Sequence, residues 1–489
     1  MNKIKNLYVN CKVRFNHGKG YIIAVLPSGK VIPIIDLHMR LLEYISQESF
    51  RDKICCYIND IEPGIDPNKV IDIMIDNGII VESEASYQWP GMTYGASLID
   101  KEEEDAVLNV IRSRKLFRHE NISVDGYKYQ PKCFINDFEE RIKKMLDIPH
   151  FLAVSSGTCA LDALLDAFDI TYGDEVIIPS FAYIGIVSIL IKRGIVPVIC
   201  DIDEFLMLSS ADVEKKFSAK TKAIICMHYR GRAAQIHSLA EIAKKNKIIL
   251  IEDCAQAIGT SLNGKMLGTF GDAGYFSFHQ HKLITCGEGG GICIKNSDIY
   301  KKLQLITDAS RLFAHRDILP GIPGSNYRMS ELHAALGCCQ LDRLDGIVSK
   351  LMELYEIFVS ELEGLEKIRL LPLQPKEYGG VQSLCLQVKD RVIREKLVEY
   401  TRELGIDTVA LYTKDSYHHD IYLNWAYAIE KIGLVDSWVN DRDRLHEIYP
   451  RTLEILSHTI TIPLGIGVSK QSAYQLACDI KAFHNNLEG

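Results

Sequence analysis

No stretch of this chain holds 18 consecutive apolar residues, which excludes a membrane-spanning helix of ordinary length. The opening residues, MNKIKNLYVNCKVRFN, lack the apolar core of a signal peptide, so a cytoplasmic location is expected. No CxxC pair occurs among the 14 cysteines, and the doublets Cys55-Cys56 and Cys338-Cys339 suit neither a zinc site nor a disulfide framework. Buried free thiols and no metal are the expectation. A basic excess is missing too. The formal net charge of −8 gives no support to binding of nucleic acid or of a membrane surface. Internal repeats and low-complexity tracts are absent.

What remains is an ordinary globular composition, 47% hydrophobic and 25% charged, spread over 489 residues. That length implies about two to four domains. Residues 1–85 combine strand-like runs (KVRFN, GYIIAVL, KVIPI) with the helical patterns DLHMRLLEYI, SFRDKICCYI and NKVIDIMIDNG, a small winged-helix-like domain. Residues 86–97, with Pro90, Gly91 and Gly95, read as a linker. From 98 to 345 continuous apolar strands alternate with amphipathic helices, which predicts an α/β fold, a mostly parallel sheet covered by helices. A helical stretch from Ser330 to about Gly364 is expected to break near Asp345-Gly346, and 346–489 reads as a smaller α+β domain.

In such sheets ligands gather at the carboxyl ends of the strands. The run FLAV delivers Ser155-Ser156-Gly157-Thr158 straight into a helix, where backbone N–H groups can hold a phosphate or simply be capped. EVII delivers Phe181 and Tyr183, aromatics able to stack on a flat ring or to pack in the core. IILIE delivers Asp253, with Gln256 one turn later; a carboxylate at the end of a buried strand needs a cationic or hydrogen-bonding partner. Lys282 stands in an apolar, glycine-rich stretch, FSFHQHKLITCGEGGGICI, where burial would make its amine a nucleophile. A phosphate cradle, a stacking aromatic, a buried aspartate and a lysine together suit pyridoxal 5′-phosphate, whose aldehyde condenses with a lysine and whose ring nitrogen pairs with an acid.

Six motifs in order, RSRKLFR (112–118), VSSGTCAL (154–161), GDEVIIPSFAY (173–183), IEDCAQAIG (251–259), GDAGYFSFHQHKLITCGEGG (271–290) and NYRMSE (326–331), resemble the DegT/StrS-type sugar aminotransferases. These are fold-type I pyridoxal-phosphate enzymes, and the resemblance runs from about Trp89 to the C-terminus. It implies that Lys282 is the covalent anchor and proton shuttle and that Asp253 partners the ring nitrogen. Gln256 then lies near the ring hydroxyl, Tyr183 stacks on the ring, and Gly157, Thr158 and Ser277 contact the phosphate. It further implies a homodimer with shared active sites, Asn326 reaching the neighbouring subunit's cofactor. Two departures concern the substrate. His281 stands before the lysine where the family often has Ser or Thr, with His279 two residues earlier, and Tyr229-Arg230-Gly231-Arg232 opens a segment that lacks the family's Asp-x-Asp.

Residues 1–85 resemble PqqD-like peptide-recognition domains, which bind leader peptides by adding a strand to a sheet edge. The function these readings imply is transfer of an amino group from an amino acid, glutamate or glutamine by resemblance, to a keto or aldehyde acceptor, with the N-terminal domain recruiting a precursor peptide. The alternative is a nucleotide-sugar or keto-cyclitol acceptor with a structural N-terminal domain. A winged-helix transcription regulator is a third reading, disfavoured because NKVIDIMIDNG carries two aspartates against one lysine.

Overall fold

The computed structural model describes residues 89–118, 133–309, 323–413, 425 and 449–487, together with the strand backbones at 6–9, 14–18, 21–25, 31–34 and 80–83. Two compact units divide the chain. One gathers Met1–Gly91, Glu395–Thr408 and Gly467–Gly489; the other gathers Met92–Arg394 and Val409–Ile466.

In the first unit Arg14–Gly18, Tyr21–Val25 and Val31–Ile34 form an antiparallel sheet with Tyr21–Val25 in the centre. The last two strands fall in the runs GYIIAVL and KVIPI read as strands from the sequence. Asn6–Val9 pairs antiparallel with Ile80–Ser83. The three helices expected between these strands, including Val70, Ile73 and Ile75, lie outside the described residues. A helix at Lys470–Asn486, capped by the Ser469 hydroxyl, buries Ala473, Leu476, Ala477 and Ile480. That i, i+3, i+4, i+7 spacing is the apolar stripe of an amphipathic helix.

The second unit is built on a seven-stranded sheet. Its strands are β1 (His150–Val154), β2 (Glu175–Pro179), β3 (Val196–Cys200), β4 (Thr221–Met227), β5 (Ile249–Asp253), β6 (Ala273–Ser277) and β7 (Gly290–Ile294). They lie in the order β1-β7-β6-β5-β4-β2-β3, and only β7 runs against its neighbours. Ile177, Ile178, Ile224, Ile225 and Ile251 are fully buried, the β-branched content that suits strands covered on both faces. Helices α1 (Lys101–Ser113), α2 (Phe134–Leu146), α3 (Gly157–Ala167), α4 (Ile184–Lys192), α5 (Ile236–Asn246), α6 (Ser297–Thr307) and α7 (Glu331–Glu361) supply the alternation read from the sequence. A four-stranded antiparallel sheet (Ile368–Leu370, Ser383–Val388, Thr459–Pro463, Val409–Ala410) also belongs to the unit.

The helix after β2 starts at Ile184, because Tyr183 has extended ψ and occupies the cap position. One local expectation changes. Helix α7 runs unbroken through Asp345-Gly346. A glycine inside a helix costs about 1 kcal/mol, which burial of Leu344, Ile347, Val348 and Leu351 around it outweighs, since each such side chain contributes about 1.5–3 kcal/mol when fully buried.

Candidate active site

The carboxyl ends of β1, β2, β5 and β6 surround a cavity of about 430 Å³. Its lining includes seven of the eight residues singled out from the sequence: Gly157, Thr158, Tyr183, Asp253, Gln256, Ser277 and Lys282. The eighth, Asn326, is exposed and is not part of this lining. It lies in an extended segment that bridges to Asp308, and the next residue, Tyr327, accepts the Ser155 N–H at 2.8 Å.

At one end of the cavity the Ser156 hydroxyl caps α3 by accepting the Cys159 N–H at 3.1 Å. Helix N-termini attract anions through their partial positive charge and unsatisfied N–H groups. Glycines let the backbone close in here. A Cβ on Gly157 would stand 3.1 Å from the Ser277 Cβ, and one on Gly290 would stand 2.3 Å from the Ser156 carbonyl carbon. The glycine cluster after Lys282 therefore serves close packing of β7 against the start of α3. Thr158 and Ser277 add hydroxyls beside that helix end.

At the other end Asp253 terminates β5 with 3% of its surface exposed. Burial pushes its carboxyl above the usual carboxylate range. The Tyr275 hydroxyl and the Ala255 N–H, the latter at 2.9 Å, donate to it and pull the other way, as does the charge of Lys282. Behind it the His228 N–H holds the Asp253 carbonyl at 3.0 Å. His228 Nδ1 accepts the Ala234 N–H, so its Nε2 carries the proton and donates to Glu252, 3.2 Å away. Glu252, itself fully buried, also accepts the N–H groups of Gly268, Phe270 and Gly271 at 2.7–2.8 Å. These bonds fix the strand end that carries Asp253.

Between the two ends stand the flat-ring candidates and the lysine. Of the two aromatics after β2, Phe181 is core, packed edge-on against Tyr229, whereas Tyr183 is 50% exposed and lines the cavity. Gln256 Oε1 accepts the Arg230 N–H at 3.1 Å, which leaves its amide N–H groups as the donors it can offer a ligand. Arg230 makes that bond from a left-handed conformation, φ 51°. Lys282 is half-buried in a turn whose neck is closed by Cys286 N–H to Phe278 O and Phe278 N–H to Gly289 O, both 2.8 Å. The cavity thus offers an anion end, a carboxylate end, an aromatic wall and an amine.

Sequence reasoning missed Tyr275, His228 and Glu252. Tyr275 could have been found, since its register against Asp253 follows once β5 and β6 are paired. His279, His281 and Glu288 line the cavity without a role assigned from the sequence.

A family model described as the DegT/DnrJ/EryC1/StrS aminotransferase family matches residues 130–431. GDP-perosamine synthase of Vibrio cholerae is 42% identical over 283 residues, covering 56% of this chain and 75% of its own. A Micromonospora echinospora protein named for L-glutamine:3-amino-2,3-dideoxy-scyllo-inosose aminotransferase activity is 30% identical over 326 residues, 65% of this chain and 75% of its own. Among solved structures, an aminotransferase from Psychrobacter cryohalolentis superposes with a TM-score of 0.67 at 24% identity, covering 80% of this chain and 98% of its own, a likeness of fold.

Proposed function

Since the chain belongs to the DegT/DnrJ/EryC1/StrS aminotransferase family, we propose that it moves an amino group from glutamate or glutamine to a keto group on a nucleotide-linked sugar or a cyclitol. The observation that carries this reading is one cavity whose lining includes Lys282, Asp253 and the first residues of α3. The names of the two relatives support a sugar or cyclitol acceptor over the peptide-borne carbonyl expected from residues 1–85. A leader-peptide partner gains no support from them.

The cofactor is pyridoxal 5′-phosphate. The residues present fit it. The α3 N-terminus with Thr158 and Ser277 suits its phosphate, and Asp253 suits its ring nitrogen. Tyr183 and Gln256 suit the ring face and the ring hydroxyl. When bound, the cofactor supplies an aldehyde that takes up the amino group and a ring that absorbs negative charge. Lys282 would hold it covalently and would serve in turn as base and acid for the proton of the carbon that gains or loses nitrogen. Asp253, once a ring cation faces it, is ionised and keeps that cation protonated. Tyr183 would cover one face of the ring.

Borohydride treatment of the holoenzyme followed by peptide mapping is expected to fix the cofactor on Lys282. A label on any other lysine, or full turnover by Lys282→Ala, would overturn the reading.

A further inference from the structure

The feature of the cavity that the proposed chemistry leaves unused is its histidine-rich corner. Lys282 N–H bonds the His279 carbonyl at 2.9 Å, so residues 279–282 form a tight turn with His281 next to the lysine. The His281 N–H leans on His279 Nδ1 at 3.4 Å, which leaves the proton of His279 on Nε2, 3.6 Å from Glu288 Oε1. The two imidazoles then meet edge to face, 5.2 Å between centroids and 61° between planes. His279 is therefore held from two sides and steadies the ring of His281, which is exposed and lines the cavity.

Each neutral imidazole offers one donor and one acceptor, and the carboxylate offers acceptors. That set matches hydroxyl groups, which both donate and accept. It suits a phosphate or a carboxylate poorly, because Glu288 would repel either. We propose that His281 is the specificity-determining contact for the hydroxyls of a polyol acceptor beside its keto group, with His279 and Glu288 as positioning residues. Resting on the aminotransferase reading, the inference separates the two halves of the reaction. The amino-acid donor has no hydroxyls to present, so its half does not use this corner.

The test uses the holoenzyme and follows each half-reaction by the cofactor's absorbance change. L-glutamate probes the donor half. GDP-perosamine, and scyllo-inosamine as an aminocyclitol, probe the acceptor half in reverse. For His281→Ala we expect a KM for the amino sugar or aminocyclitol raised at least tenfold, with a smaller change in kcat. The rate with L-glutamate is expected to stay within twofold. His281→Gln, which keeps a donor and an acceptor, is expected to recover most of the affinity, and Glu288→Gln to lose part of it. Equal losses in both halves, or no change in either, would overturn the proposal in favour of a merely structural turn. So would a wild-type enzyme that reacts with L-glutamate yet with neither amino polyol. Failure of the wild type to react with any amino acid would instead sink the aminotransferase reading itself.

Discussion

Tyr275 and Asp253 are register partners on neighbouring parallel strands, and the phenol hydroxyl donates to the buried carboxylate. The pairing balances two opposed effects. Burial favours the neutral acid, whereas each hydrogen bond to the carboxylate favours the charged form that a ring cation requires. Hydrogen bonds to charged groups contribute about 1.5–3 kcal/mol. Tyr275→Phe should therefore raise the Asp253 pKa further and weaken cofactor binding by about tenfold or more. Equilibrium dialysis of the cofactor against wild type and variant would check this, and equal affinities would show that the hydroxyl does not act on Asp253.

The same carboxylate has an opposite consequence for the cofactor-free protein. Its folded pKa lies above the unfolded value of about 3.9. The folded state thus binds the proton more tightly, and its stability contribution is full below that value and lost as pH rises through the folded pKa. Above that window Asp253 is a net cost to the apo fold. Asp253→Asn keeps the shape without the charge. Its apo form should melt higher than wild type at pH 8, by about 1 °C for each kcal/mol relieved in a chain of this length, and the gap should close towards pH 4. Cofactor binding by the same variant should fall. Calorimetry at the two pH values, with and without cofactor, distinguishes the two effects; a gap that widens on acidification would contradict the assignment.

The alternation of strands and helices in the second unit was legible because its strands are continuous apolar runs and its helices amphipathic. The same logic pointed to Asp253, Gly157 and Thr158, since a strand end followed by a helix is a one-dimensional signal. Register is not. Nothing in GYFSF says which residue stands beside Asp253 until β5 and β6 are paired, so Tyr275 stayed hidden. Direction is equally silent: Gly290–Ile294 is an apolar run like the others, yet it enters the sheet antiparallel. Glu252 was missed because three of its partners are backbone N–H groups from 16 to 19 residues away in sequence, at Gly268, Phe270 and Gly271, and His228 because its carboxylate partner is Glu252, 24 residues away. Gly346 misled in the other direction, where packing overrode a local helix-breaking preference.

Two glycines with opposite surroundings give a further prediction. A methyl at Gly290 would meet backbone, 2.3 Å from the Ser156 carbonyl carbon and 2.6 Å from the Gly157 nitrogen, and neither can step aside without moving the start of α3. Gly290→Ala should cost about 3 kcal/mol and loosen phosphate binding with it. At Gly346, inside α7, a methyl meets nothing within 4 Å. Gly346→Ala should stabilise the chain by about 0.5–1 kcal/mol and leave activity unchanged. Urea unfolding of the two variants in parallel tests both signs at once.

Asn326 is the one candidate that its own cavity does not include, and this is what a residue serving a neighbouring subunit would show. Its backbone is fastened at Asn326 itself, by the bridge to Asp308, and at the next residue, by the Tyr327 carbonyl against Ser155, so its exposed side chain is presented from a fixed backbone. If two copies pair and each lends Asn326 to the other, Lys282→Ala and Asn326→Ala subunits should both be poor enzymes alone. Mixed and allowed to exchange, half the dimers become hybrids. Each hybrid contains one site with both wild-type residues and one with neither, so activity should recover to about a quarter of wild type for random pairing of closed two-fold dimers. Subunit exchange must be followed independently, by mass spectrometry of differently tagged chains. Hybrids that form and stay inactive would place Asn326 in its own subunit's chemistry or in none.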